Sequence, residues 1–149
     1  MNSPSAWVCD KCSNDVTVDK GLVAARRDSN GLFQDWRIVH KDQCAPVENA
    51  GYTFSVELER MVGQDGLSHL LSFLSAGPLK VPDPTSPSPS EEIGNFDAYV
   101  DMFRRLQTPF YEKARRRFED PEVQEQFHEA NAAYTYEVAN LESIAKGLN

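Results

Sequence analysis

The sequence predicts an α+β fold, with a small β-rich segment first and helices after it. Three observations carry this prediction: alternating apolar and polar residues before position 45, leucines with helical spacing up to position 74, and aromatic residues with helical spacing after position 95. We therefore expect three parts. Residues 1–77 hold the β-rich segment and packed helices, residues 78–92 form a linker, and residues 93–149 form a helical unit.

Length and charge exclude several classes of function. The chain has 149 residues and a formal net charge of -8, and no apolar run approaches the roughly 20 residues that span a membrane. The negative charge opposes a general phosphate-binding surface, because nucleic-acid affinity depends on Lys and Arg side chains. The N-terminal residues show no signal-peptide pattern, so we expect a cytoplasmic protein without membrane contact. Three cysteines in that compartment fit metal ligands better than disulfides.

The strongest turn signal in the β-rich segment is Asn30-Gly31, since both residue types tolerate positive φ. It predicts a hairpin between a strand near Leu22–Arg26 and a second strand near Phe33–His40. The second strand ends at a histidine, which leads into the candidate metal site.

Two short ligand pairs, Cys9-x-x-Cys12 and His40-x-x-x-Cys44, use every cysteine in the chain. Alternation along the predicted strand puts His40 on the same face as Trp36, beside an apolar surface. Zinc prefers a tetrahedron of thiolates and imidazoles, and two ligand pairs separated by a longer loop can close one around it. Four protein ligands leave no open position for catalysis. The sequence therefore predicts a structural Zn²⁺ bound by Cys9, Cys12, His40 and Cys44.

This pattern resembles the zinc ribbon, a group of small β modules in which two ligand pairs at hairpin ends bind one zinc ion. The resemblance covers residues 7–45, and the second pair departs from the commonest form by reading His-x-x-x-Cys in place of Cys-x-x-Cys. The layout of the whole chain is also similar to that of small zinc-ribbon proteins of actinobacteria and their phages. The resemblance implies a structural metal and no particular activity.

The region after residue 46 is predicted to be helical. A turn or helix over 56–62 precedes a second helix, for which Asp65 is the predicted N-cap and Gly77 the end. The leucine stripe of that helix is either core packing or a groove for a partner. The stripe is formed by Leu67, Leu70, Leu71 and Leu74.

The linker at 78–92 has five prolines, which predict an extended spacer.

The C-terminal unit shows two helix-start signals after its first helix. Thr108-Pro109 predicts the N-cap and first residue of a second helix, and Asp120-Pro121 predicts the same for a third. Apolar and polar residues alternate over 133–138, so a short strand is an alternative prediction for this stretch. Such a strand would make the unit winged-helix-like. The apolar stripe of the first helix is predicted at Phe96, Val100, Phe103 and Leu106 or Gln107.

Positive charge concentrates in this unit, with six basic and two acidic residues between positions 100 and 118. An arginine-rich helix suits phosphates and base edges in the major groove, so this helix is a candidate DNA-binding element. The alternative is a solvated, self-paired face, for example through a Glu112–Arg116 pair. The candidate nucleic-acid-binding residues are Arg104, Arg105, Lys113, Arg116 and Arg117.

No catalytic triad, glycine-rich phosphate loop or acid–base pair can be assembled from the sequence, so we expect a non-enzymatic zinc-binding protein. Two functions remain: a DNA-binding regulator, which the sequence slightly favours, and a protein–protein interaction adaptor stabilised by structural zinc. DNA binding requires Lys113, Arg116 and Arg117 to lie exposed on one face. An adaptor requires an exposed leucine or aromatic patch and paired arginines. The oligomeric state is left open.

Overall fold

The computed structural model describes residues 6–46, 51–75 and 93–147, and the isolated residues Pro4 and Leu79. Over these residues the fold is α+β, as the sequence predicts. The strands are β1 (Ala6–Val8), β2 (Asp15–Thr17), β3 (Gly21–Arg27), β4 (Phe33–His40) and β5 (Tyr52–Glu57). The helices are α1 (Gly63–Ser72), α2 (Phe96–Gln107), α3 (Tyr111–Arg115), α4 (Pro121–Phe127), α5 (Ala132–Thr135) and α6 (Val138–Lys146), with a 3-10 helix at Leu58–Arg60.

The strands form two antiparallel sheets, one of β1 and β2 and the other in the order β4-β3-β5. The predicted β3–β4 hairpin is confirmed. Its turn is longer than a two-residue turn, because the Asp28 carboxylate accepts hydrogen bonds from the amides of Asn30 and Leu32, at 2.8 and 2.9 Å. Gly31 adopts a φ of 80°, the left-handed conformation that favours glycine. The hairpin therefore places the end of β4 beside the start of β3.

Strand β5 was not predicted and takes the first two residues of the turn or helix predicted over 56–62, which is otherwise present as the 3-10 helix at Leu58–Arg60. Val56 pairs with Val23 of β3, and a short 3-10 helix at Leu58–Arg60 follows β5 and precedes α1. Tyr52 and Phe54 alternate with polar residues up to Glu57, which is the period of two of a half-buried strand. The signal was present in the sequence and was missed.

Helix α1 begins at Gly63, so Asp65 lies in its first turn rather than at the predicted N-cap. Only part of the predicted leucine stripe faces the core: Leu70 is fully buried, whereas Leu67 and Leu71 are 36% and 48% exposed. The predicted helix end at Gly77 lies outside the described residues. The same holds for the predicted linker at 78–92 apart from Leu79, so the extended spacer stays a prediction.

Helix α2 packs onto the three-stranded sheet through a face that coincides only in part with the predicted stripe. Tyr99, Met102 and Leu106 are buried in the same core as Trp36 and the sheet residues. Of the predicted stripe, Leu106 is fully buried and Phe103 packs against this core, whereas Phe96 is 61% exposed and Val100 is 42% exposed. The helix carries two apolar stripes, and periodicity alone does not say which one a sheet will cover. The division into units 1–77 and 93–149 stays a prediction.

Helices α3 to α6 surround a second core. Helix α3 begins at Tyr111 after Phe110, so the predicted start at Thr108-Pro109 is wrong. The start at Asp120-Pro121 is confirmed, with Pro121 in the first turn of α4. Residues 133–138 contain part of α5 and no strand, which removes the winged-helix alternative. The buried residues of this core are Tyr111, Ala114, Val123, Phe127, Leu141 and Ile144.

Candidate metal centre

The four predicted ligands lie close together in space, although Cys9 and Cys12 come early in the β-rich segment and His40 and Cys44 come late. Cys9 and Cys12 lie in the loop between β1 and β2, His40 is the last residue of β4, and Cys44 lies in the turn that follows. Their three Sγ atoms and one imidazole nitrogen all lie within 4.8 Å of one another. The backbone N–H of Cys44 donates to the His40 carbonyl at 3.2 Å, which closes that turn. This cluster could hold a metal ion.

The distances test whether a metal fits. The Nδ1 atom of His40 lies 3.5 Å from the Sγ atom of Cys12 and 3.7 Å from that of Cys44. Zinc–sulfur bonds of about 2.3 Å and zinc–nitrogen bonds of about 2.0–2.1 Å give a regular tetrahedron S···N edges of about 3.6 Å. The two observed separations therefore match tetrahedral edges, so the donor set fits a four-coordinate ion.

The tautomer of His40 is suited to metal binding. Its Nε2 atom lies 3.0 Å from the carbonyl oxygen of Asp15 in β2. A carbonyl can only accept, so Nε2 carries the proton and Nδ1 presents its lone pair to the cysteines. This contact also ties the end of β4 to the smaller sheet, which orients the ring.

The thiols differ in acidity. Burial raises the pKa of the Cys9 thiol, but hydrogen bonds from the amides of Cys12 and Lys11 outweigh it and lower the pKa to about 6. Those amides lie 3.5 and 3.4 Å from the Cys9 sulfur. Burial and the neighbouring thiols Cys9 and Cys12 raise the pKa of Cys44 to about 11. Three adjacent thiolates repel one another, and a bound divalent cation removes that penalty.

The first ligand loop is held by Asp10, which lies between the two cysteines of the loop. Its backbone N–H donates to the carbonyl of Ile38, and its Oδ2 atom accepts from the amide of Ile38, both at 2.8 Å. The same Oδ2 atom lies 2.8 Å from Nη1 of Arg105 in α2. One carboxylate therefore joins the ligand loop, β4 and α2.

Arg105 is the centre of a buried ionic network. Its side chain is 2% exposed, and its Nε and Nη2 atoms donate to the two carboxylate oxygens of Glu112 at 2.8 and 2.9 Å. Nη2 also donates to the carbonyl of Val8 at 3.1 Å, and the amide of Val8 donates to Glu112 at 3.0 Å. The indole N–H of Trp7 donates to the Arg105 carbonyl at 2.8 Å. Burial opposes the charge on Arg105, but Glu112 and Asp10 outweigh it and raise its pKa.

The five candidate nucleic-acid-binding residues are not gathered on one exposed face. Arg105 faces the buried carboxylates, and Arg104 lies over the ring of Tyr136 at 4.0 Å. Arg117 donates to Asp120 and to the Ile144 carbonyl, both at 2.9 Å. Lys113 is exposed, and Arg116 is 52% exposed with its Nη2 atom 3.7 Å from Asp15. Nucleic-acid contact through these residues stays a prediction.

An apolar groove lies between α1 and α2. It has a volume of about 410 Å³ and is lined by exposed side chains of both helices together with residues that pack against the core. Arg104 and Thr108 are its polar lining residues. The sequence indicates the leucine stripe as a possible groove, and the aromatic stripe of α2 is predicted without a partner. The apolar lining is Leu71, Leu74, Phe96, Tyr99, Val100 and Phe103.

Fold and site together define an α+β protein with a Cys₃His cluster able to hold a metal ion. Comparison of the chain with protein-family models, curated proteins and solved structures finds no match. The zinc-ribbon pattern of residues 7–45 therefore stays a resemblance. In the part of the chain that the structure describes, no helix has the length and apolar character needed to cross a membrane.

Proposed function

We propose that this chain is a non-enzymatic adaptor in which a structural zinc ion stabilises the β-rich segment and an exposed apolar surface binds another protein. The observation that carries the proposal is the Cys₃His cluster with tetrahedral separations. Four protein ligands complete the coordination of zinc, so the ion has no open position for a substrate. Thiolates and imidazole favour zinc over magnesium or calcium, which prefer oxygen ligands.

Protein binding is favoured over DNA binding by the state of the arginines. Arg115 pairs with Asp101 at 2.7 Å, and Arg105 is held by two carboxylates. The predicted pair between Glu112 and Arg116 is replaced by the buried pair between Glu112 and Arg105. Basic side chains that are already paired release fewer counterions on binding a phosphate, and the net charge of -8 opposes the approach of DNA.

The exposed apolar side chains favour the same conclusion. Leu71, Phe96 and Val100 are 48%, 61% and 42% exposed and lie together along one groove. Contiguous apolar surface rimmed by polar residues marks sites of protein interaction. An adaptor needs such a surface, whereas a DNA-binding regulator does not.

The metal assignment is tested by elemental analysis of the purified full chain, which should contain one zinc per chain. Cys44→Ser should lose the zinc and lower the thermal midpoint, because metal binding and folding are coupled. Asp42→Ala is the matched control, since Asp42 is an exposed residue in the same turn. Wild-type protein without stoichiometric zinc would contradict the assignment.

The binding class is tested by selection from a random duplex pool at low salt. We expect no sequence to be enriched. A selected duplex whose affinity is lost on Arg116→Ala with Lys113→Ala would overturn the adaptor function in favour of DNA binding. Those residues are chosen because both are exposed and neither belongs to the buried network.

A further inference from the structure

We infer that the groove between α1 and α2 binds a short amphipathic helix of another protein, with a carboxylate placed one turn beyond its apolar residues. The inference rests on the proposed adaptor function and names the partner's chemistry. It starts from the composition of the groove, whose lining is apolar except for Arg104 and Thr108. Both polar residues belong to the C-terminal end of α2, so a cationic side chain borders the otherwise apolar groove at that end.

Arg104 supplies the charge that selects the partner. Its guanidinium lies 4.0 Å above the ring of Tyr136, and among the described residues it forms no ion pair with a carboxylate. The neighbouring cations Arg105 and Arg115 are both paired. A cation that has no carboxylate partner among the described residues, at the end of an apolar groove, is complemented by a carboxylate on the occupant.

The backbone chemistry of the groove selects a helix over an extended peptide. The walls are two helices, whose internal backbone groups are already hydrogen-bonded, so they offer an extended segment few partners. A helix satisfies its own backbone and buries only side chains against the groove. Phe96 and Arg104 are eight positions apart, which is about 12 Å along a helix axis. This length matches about two turns of the partner.

A second copy of this chain fits the groove less well than a helix of another protein. In a twofold contact both copies present the same patch, and the lining of this groove, as far as the described residues form it, contains no carboxylate for Arg104. The charge would then stay unmatched when the groove is covered. A foreign helix with an acidic residue satisfies both the apolar stripe and the cation.

The test uses a displayed library of 16-residue helical peptides, selected against the immobilised zinc-loaded full chain. We expect the selected peptides to carry apolar residues at helical spacing followed by Asp or Glu one turn later. Their affinity, measured by fluorescence anisotropy, should fall at least tenfold on Val100→Asp and on Arg104→Glu. Tyr134→Ser is the control, since Tyr134 is 51% exposed and lies outside the groove.

A charge swap makes the test specific. Replacing the acidic residue of the peptide with Lys should restore binding to Arg104→Glu and weaken binding to wild type. Peptides that bind the groove without a carboxylate, or that ignore Arg104→Glu while losing affinity on Val100→Asp, would overturn the partner chemistry and leave the adaptor function standing. A dimer in sedimentation equilibrium that Val100→Asp dissociates would assign the groove to a second copy. A monomer that selects no peptide would overturn the groove as a binding surface.

Discussion

Removing Arg105 should destabilise the protein far more than removing any exposed arginine. Arg105→Met deletes four hydrogen bonds from the guanidinium and leaves the carboxylate of Glu112, whose side chain is 5% exposed, without a cation. Breaking a buried ion pair by removing one partner costs about 3–5 kcal/mol, chiefly because an uncompensated charge stays buried. Asp10 is 25% exposed and partly hydrated, so most of the penalty arises at Glu112.

Urea unfolding followed by tryptophan fluorescence, with equal zinc in all samples, measures this loss as a shift of the midpoint at constant slope. Arg115→Met is the matched control on α3. Its pair with Asp101 is 30% and 36% exposed, so we expect a loss of about 1 kcal/mol or less. The loss at Arg105 should therefore be several times larger.

A double variant separates charge burial from packing. Arg105→Met with Glu112→Gln removes the buried charge while keeping a carbonyl oxygen that can accept from the amide of Val8. It should recover more than half of the stability that Arg105→Met loses. If the single variant loses less than about 1 kcal/mol, or the double variant is as unstable as the single one, the network is not the buried ion pair described here.

Three further outcomes are expected. Chelation of zinc should unfold the β-rich segment, which circular dichroism would show as a loss of β-sheet signal that added zinc restores. Less chelator should be needed as the pH falls, because protons compete with zinc for the thiolates. A spectrum unchanged by complete zinc removal would contradict this prediction. Gly66→Ala should destabilise, although alanine normally favours a helix, because its Cβ atom would lie 2.1 Å from the Met61 backbone carbonyl carbon; a higher thermal midpoint would show that the contact relaxes. Asn95→Ala should cost about 1 kcal/mol in urea unfolding, because the Asn95 side chain caps α2 by accepting from the amide of Ala98; an unchanged midpoint would mean that solvent replaces the cap.

The features that the sequence predicted correctly are the ones encoded over short distances. The Cys9–Cys12 and His40–Cys44 pairs, which form a cluster that could hold a metal ion, are visible as spacings of three and four residues, and the β3–β4 hairpin follows from Asn30-Gly31 between two apolar runs. The start of α4 follows from Asp120-Pro121. Each of these signals depends on a few neighbouring residues, and in each case the tertiary packing agrees with the local preference.

The features that escaped prediction depend on distant partners. Arg105 was placed in a basic surface because its sequence neighbours are basic, yet its partner Asp10 lies 95 residues away. Helix α2 carries two apolar stripes, and contact with Trp36 of β4 decides which one is buried. Local pattern contains no information on either choice. Strand β5 differs, since its alternation of apolar and polar residues is visible in the sequence itself.

The hydrogen bonds of β1 also have a consequence for the order of events during synthesis. The indole N–H of Trp7 donates to a carbonyl 98 residues further along the chain, and the amide of Val8 donates to a carboxylate 104 residues further. Neither bond can form until those acceptors have been synthesised. At roughly 5–20 residues per second, that interval is about 5–20 s of translation. The ligand loop next to β1 emerges first but reaches its final support only after α3 has been made. We therefore expect a nascent chain stalled before α2 to bind and release zinc faster than the finished protein.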